Sequence, residues 1–390
     1  MHRSPQGHST SRPPGRSISR TSARQASART RWLLVAGLLA IAVPFATATE
    51  ARAQEQLPDQ VTLQLPESSS RITIRCEVLD YTGESIQLVT MNGAPRKTYP
   101  ASQVVDVRTP QTPEHVRGLT LFAAGRAEDA SQAFNQALLD ETRTWVRRDI
   151  LAMLCRCSLW LGHYADAANR FILLAQSDPA TRHAGLAPLI WTPASLNGEL
   201  RSQARIWLSH PVPAARLIGC SILLNDQNLG RTAEAELRRL SISPSPWLQE
   251  LARAQMWRKR LGPNGPGPEE LDGWQTTIEA MPEAVRGGPW FVLGQARLAR
   301  NELDRAAEAL LWLPIVYPHD RQLAARAALQ AAESYAGSGQ QLAANTVYRE
   351  LVERFSDTSF AQDARAALEA EEEASSRPSE NVPAPPAPAP

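Results

Sequence analysis

Five histidines and four cysteines lie beyond the first 53 residues and could carry metal or nucleophilic chemistry. The histidines are His115, His163, His183, His210 and His319. A zinc hydrolase needs paired ligands on one helical face, as in H-x3-H or H-E-x-x-H, and neither pattern occurs. The G-x-S-x-G elbow of an α/β-hydrolase is absent as well. The run YPHDR sets His319 beside Asp320, formally half of a Ser-His-Asp triad. It falls in an inter-helix turn with no Ser or Cys nucleophile in view, so it reads as a solvated turn. Acidic pairs such as Glu128-Asp129 and Glu269-Glu270 open predicted helices, where they complement the helix dipole. The loop GPNGPGP, Gly262–Pro268, lacks the Gly-Lys-Ser/Thr ending of a phosphate-binding loop, and its prolines remove backbone N–H donors.

The cysteines are Cys76, Cys155, Cys157 and Cys220. Their spacings give no disulfide framework. Cys155 and Cys157 sit two apart on a predicted helix and so face different ways. A C-x-C pair needs two further soft ligands to hold zinc. All four are predicted to be buried free thiols. No catalytic residue, metal or cofactor is expected, and the chain does not read as an enzyme.

Residues 1–31 are rich in Arg and Ser and contain no acid. The apolar run Trp32–Ala46 follows, then ATATEARA. That order predicts a secretory signal cleaved after Ala53, with Ala48 as second choice. An apolar run of about 15 residues is short for a membrane span of about 20. Export to the periplasm or cell envelope is expected, with N-terminal membrane anchoring as the alternative. Eight of the 41 basic residues and one of the 40 acidic ones lie in residues 1–53. That leaves 33 basic against 39 acidic residues, a net charge of about −6 that disfavours nonspecific nucleic-acid binding.

Between residues 54 and 110, the runs QVTLQL, RITIRCEVLDY, ESIQLVTM and SQVVDVRT alternate with period two, the pattern of half-buried strands. Asn92-Gly93 is a hairpin dipeptide. The strand rhythm resembles a small SH3-like or Sm-like barrel. Sm-like folds bind RNA in other settings, but no basic-aromatic surface supports that use here.

The rest is read as helical. In GLTLFAAGRAEDASQAFNQAL, Gly118 faces one way on a first helix and Ala130, Phe134 and Ala137 share a face on a second. Small residues let the two helices approach, and the Phe fills the space between them. The pattern recurs with Cys155 in the place of Gly118, then Gly162, Ala167 and Phe171. It returns with Trp290, Gly294, Ala306 and Leu310, and again with Ala332, Gly339, Ala344 and Tyr348. These stretches resemble the tetratricopeptide repeat (TPR) family, whose helix A carries a Leu-Gly pair before a turn Gly and whose helix B carries Ala, an aromatic and Ala. The early aromatic survives only at Trp290, and the closing Pro is missing from the first and last units. The last two units also resemble the longer repeats of envelope-assembly proteins.

The fold expected is mainly α: a TPR-like α-solenoid of stacked helical pairs preceded by the small β unit. The divisions are a signal peptide at 1–53, a β domain at 54–110, repeats at 111–182 and 289–370, and degenerate helical pairs at 183–288. A disordered Pro/Ala-rich tail at 371–390 completes the chain. The repeat-packing positions are Gly118, Ala130, Phe134, Ala137, Gly162, Ala167, Phe171, Gly294, Ala306, Ala344 and Tyr348. The resemblance implies a concave groove lined by helix A of each pair. Its partner-binding positions would be His115, Phe122, Arg156, Trp160, Phe291, Gln295 and Glu333, with Leu119, Leu159 and Leu298 between groove and core. Aromatic anchors among charges suit capture of a peptide.

The functional expectation is a non-catalytic protein–protein interaction scaffold of the bacterial cell envelope, holding a partner protein or peptide in the groove. The alternatives are an enzyme or accessory subunit acting on envelope polymers, which needs converging carboxylates, and RNA binding through the β unit. Neither a nucleic acid nor a small molecule is expected as ligand. No stable membrane span is expected once the signal is removed.

Overall fold

Period-two alternation forms an antiparallel sheet in the order β4-β3-β2-β1-β5. Its strands are β1 (Asp59–Gln64), β2 (Arg71–Tyr81), β3 (Ser85–Thr90), β4 (Lys97–Pro100) and β5 (Val104–Arg108). A 3-10 turn, Ala101–Gln103, joins the last two. The computed structural model describes residues 59–65, 70–90, 95–192, 197–262 and 265–376. The expected cleavage site at Ala53, the Asn92-Gly93 turn and the chain after Ser376 lie outside the described residues.

One face of the sheet presents Val61, Leu63, Cys76, Val78, Ile86 and Leu88, all buried. It shares a core with Trp145, Val146, Ile150 and Leu154 of α3 (Thr144–Trp160) and with Phe134 of α2 (Ala127–Asp140). Polar contacts fix the seat. The Trp145 indole N–H donates to the Val78 carbonyl at 3.1 Å. Arg148 pairs with Asp80 at 2.6 Å and donates to the Tyr81 carbonyl at 2.8 Å. The Gly83 N–H donates to Asp178 at 2.9 Å, and a Cβ there would lie 1.8 Å from the Ala180 carbonyl oxygen. The sheet is therefore bonded to the first helices.

Four helical hairpins use one turn. They are α1 (Pro113–Ala123) with α2, α3 with α4 (Tyr164–Ser177), α10 (Gly287–Leu298) with α11 (Leu303–Val316), and α12 (Arg321–Gly337) with α13 (Gln341–Arg354). Each reverses through one residue at positive φ: Gly125 (78°), Gly162 (73°), Asn301 (59°) and Gly339 (79°). The next N–H bonds back five residues: Arg126 to Leu121, His163 to Ser158, Glu302 to Arg297 and Gln340 to Tyr335, at 2.8–3.0 Å. This is the Schellman closure, which satisfies carbonyls at the end of helix A.

The sequence phase follows that turn. A small residue (Gly118, Cys155, Gly294, Ala332) precedes the left-handed position by seven. Twelve residues after the small one comes a buried Ala (Ala130, Ala167, Ala306, Ala344), and sixteen after it a large side chain (Phe134, Phe171, Leu310, Tyr348). A Cβ on Gly118 would sit 2.7 Å from the Phe134 ring, and one on Gly294 would sit 2.6 Å from Leu310. Ala137 is fully buried beside them. Gly162 differs: nothing lies within 4 Å of a Cβ there, so it serves the turn.

The stretch 183–288, expected as degenerate helical pairs, becomes α-helical at Gly198 after a 3-10 turn at Ala184–Leu186. Before that, residues 184–191 cross the interior as a strap that buries Leu186, Leu189, Ile190 and Trp191. Buried irregular backbone must find hydrogen-bond partners. The Ile190 N–H donates to Ser221 Oγ at 2.8 Å, and its carbonyl accepts from Gln255 Nε2 at 3.3 Å. Both side chains are fully buried. A Cβ on Gly288 would overlap the Trp191 ring at 1.9 Å. Around the strap stand α5 (Gly198–Leu208), α6 (Pro213–Leu223), α7 (Gly230–Leu240), α8 (Pro246–Trp257) and α9 (Pro268–Ala280). The last helix, α14 (Ser359–Ser376), carries the chain past residue 371, where the extended tail was expected. Glu371–Glu373 favour helix, and no proline intervenes before Pro378.

The φ requirement is testable without steric interference. Gly162→Ala and Gly339→Ala each cost about 1–2 kcal/mol in urea unfolding, because only backbone conformation is at stake. Asn301→Gly leaves stability equal or slightly raised. Equal losses at all three positions would contradict the shared turn.

Candidate functional site: a cavity where the first and last hairpins meet

Two of the expected groove residues are core. His115 is 3% exposed, edge-on to Phe134 with ring centroids 6.0 Å apart, and Phe291 is 0% exposed. Each lies three residues before its small packing residue, Gly118 or Gly294, and so shares the face turned to helix B. Burial pulls the His115 imidazole below its ordinary pKa. The positions one after the small residue do stay off that face. Arg156 and Gln295 are half-buried, and Glu333 is exposed. Gln295 donates to Gln330 Oε1 at 2.7 Å, linking α10 to α12. Burial, with Asp363 nearby, pushes the Glu333 carboxyl up.

Phe122, Arg156 and Trp160 belong to a contact that sequence reading did not anticipate. The hairpin array curls until α12 packs against α3. There the Trp160 indole N–H donates to Asp357, 197 residues later, at 2.9 Å. The Arg321 guanidinium lies 4.3 Å from the Trp160 ring centroid and pairs with Asp357. Phe122 meets Trp160 edge-on at 5.2 Å, and Arg156 caps Phe122 at 4.7 Å. Burial works against the Asp357 carboxylate, but the Arg321 hydrogen bond and charge, with the backbone and Trp160 hydrogen bonds, together hold the pKa below the usual range.

Beside this seam lies a cavity of about 670 Å³. Its apolar lining comes from Leu189 and Trp191 of the strap, Leu323 of α12 and Phe360 of α14. Its polar lining includes Tyr164 and Asp166 of α4, Glu199 of α5, Asp320 and Gln322 at the start of α12, and Arg326 a turn further on. Three helices therefore begin at one cavity. Asn197 caps α5 by accepting from the Leu200 N–H at 2.8 Å, and Asp320 caps α12 by accepting from the Leu323 N–H at 3.0 Å. No side chain caps α4. Among the described residues, Asp166, Glu199 and Arg326 have no ion-pair partner. Burial pushes the Asp320 carboxyl up, and burial with Asp320 alongside raises the Tyr164 phenol.

Asp320 is engaged in capping α12. Burial and the Arg156 charge hold His319 down to about 4, so the imidazole is neutral. A second His–Asp contact, absent from the sequence reading, joins His183 Nε2 to Asp149 at 3.0 Å. Asp149 also pairs with Arg182, whose guanidinium lies 4.4 Å from the Tyr81 ring centroid. That cluster ties α3 to the sheet. All four cysteines are free and buried. Burial raises Cys76 and Cys157 to about 11 and Cys155 and Cys220 to about 12. A thiol so protonated is a poor nucleophile and metal ligand. No cluster of three or more His, Cys, Asp or Glu suited to a metal occurs among the described residues, and none of their helices is long and apolar enough to cross a membrane.

Comparison of the chain with protein-family models, with curated proteins and with solved structures gave no match.

The depressed His319 sets a pH dependence. Its stabilising effect is intact above pH 6.5, because neither state is then protonated. Between about pH 6.5 and 4 the unfolded chain takes up the proton first, and stability falls. His319→Gln therefore shows a smaller drop in melting temperature from pH 7 to 5 than the parent protein. An equal drop would place the acid sensitivity elsewhere.

Proposed function

We propose that the protein is a non-catalytic interaction scaffold that holds an extended polypeptide segment of a partner in the cavity between α4, α5 and α12. The observation that carries this reading is the make-up of that cavity. At about 670 Å³ it falls in the range of ligand sites. Trp191, Leu323 and Phe360 offer anchors for apolar side chains, and Arg326, Gln322 and Tyr164 offer unspent polar capacity for a backbone. The site differs from the helix-A groove expected from sequence.

We read the four hairpins as TPR-like, on the seven, twelve and sixteen residue spacings and the shared turn. The β unit we read as SH3-like, on the strand order and the 3-10 turn before β5. The Arg-rich leader and its apolar run favour work outside the cytoplasm, in the cell envelope.

Selection of displayed peptides on the purified protein tests the proposal. Enriched peptides carry a carboxylate next to apolar residues, matching Arg326 beside Trp191 and Phe360. Leu323→Trp, which fills the cavity, weakens their binding more than tenfold. Arg326→Ala weakens it about tenfold, as loss of one charge-assisted hydrogen bond implies. Enriched peptides that bind both variants as tightly as the parent would place the site elsewhere.

A further inference from the structure

The contacts that join neighbouring hairpins differ in kind from the contact that joins the first hairpins to the last. Within each hairpin a small residue receives a large one, and side chains such as Phe134, Phe171 and Leu310 are fully buried. The seam between α3 and α12 is polar. Its hydrogen bonds and ring contacts converge on one side chain, Trp160. Arg321 and Asp357 both lie on the C-terminal side, with side-chain exposures of 17% and 43%. Arg321 also donates to the Arg354 carbonyl at 2.8 Å and covers the Phe355 ring at 5.0 Å. Arg321, Asp357 and the end of α13 thus move as one body. Phe122 and Arg156 support Trp160 from the opposite side.

We infer that this contact is a releasable clasp, and that its opening admits the polypeptide to the cavity. The inference rests on the reading of the cavity as a polypeptide site. Its geometric basis is adjacency along the chain. Gly162 and His163, which line the cavity, follow Trp160 by two and three residues, and Asp320 and Gln322 flank Arg321. Parting Trp160 from Asp357 therefore separates two walls of the cavity. The contacts that reach Trp160 across the seam are one hydrogen bond and one cation–π contact, each modest at a partly exposed side chain, so the seam yields before the apolar hairpins do.

The test uses a thiol placed in the cavity by Gln322→Cys. The four native thiols are buried and protonated at neutral pH, so they stay silent toward a maleimide. Ser338→Cys, at the exposed far end of α12, is the control for general loosening. Adding Asp357→Ala, or the milder Trp160→Phe that keeps an aromatic ring and removes the N–H, accelerates labelling at Gln322→Cys about fivefold. That is the factor loss of one ordinary net hydrogen bond allows. The rate at Ser338→Cys stays constant. An unchanged rate at Gln322→Cys, or a parallel rise at Ser338→Cys, overturns the clasp. A selected peptide should also associate faster with Trp160→Phe, and faster labelling without faster association overturns the gating. Faster labelling in a protein for which no peptide can be selected would support the clasp and sink the polypeptide reading.

Discussion

In four hairpins the chain reverses between two helices in three or four residues by placing one residue in the left-handed region. That backbone constraint organises the first two and the last two helical pairs of this protein. Once the left-handed residue is set, the Schellman bond fixes where helix B begins, and helical geometry fixes which residues face one another. The small residue seven positions upstream and the large one nine downstream then meet at the crossing. Gly118 against Phe134 and Gly294 against Leu310 are two instances of one solution. The Ala four residues before the large side chain lies one turn away on the same face, and its small size lets the backbones close.

The middle of the chain solves a different problem. Residues 184–191 cross the interior with no more than one 3-10 turn, and a buried strap of this kind cannot satisfy all of its own backbone. Ser221 and Gln255 are buried polar residues on α6 and α8, and they supply the missing partners at Ile190. Gln255 is in turn engaged by Arg258 at 2.6 Å, and Arg258 also donates to the Ser221 carbonyl. The network anchors the strap to two helices, and Trp191 on the strap becomes both a cavity wall and the partner of Gly288. The cavity therefore owes its shape to a segment with no periodicity at all.

This difference explains what could be read from sequence. The strands were legible because alternation of Val61, Leu63, Cys76 and Val78 is a local signal. Three of the four hairpin turns were legible because only Gly signals positive φ strongly. Asn301 does the same work without the signal, and its turn was passed over. The separate facing of Cys155 and Cys157 followed from helical geometry, and the two thiols enter different cores. The groove failed at His115 and Phe291 because apolar and aromatic residues on helix A look alike whether they face a partner or helix B. The cavity left no trace, since it depends on residues about 160 positions apart. No local pattern marks Trp160 as the partner of Asp357.

The cavity's electrostatics follow from the same closure. Curling α12 back onto α3 brings the start of α12 beside the starts of α4 and α5. Each helix start carries about half a positive charge in exposed N–H groups. Asp166, Glu199 and Asp320 sit at those starts, so the helices that bear them offset part of their charge. Arg326 lies a full turn inside α12, past the reach of that compensation, and has no carboxylate partner among the described residues. Arg326 is the one guanidinium of the lining, which it shares with Trp191, Leu323 and Phe360. A segment carrying one carboxylate among apolar side chains can pair with it.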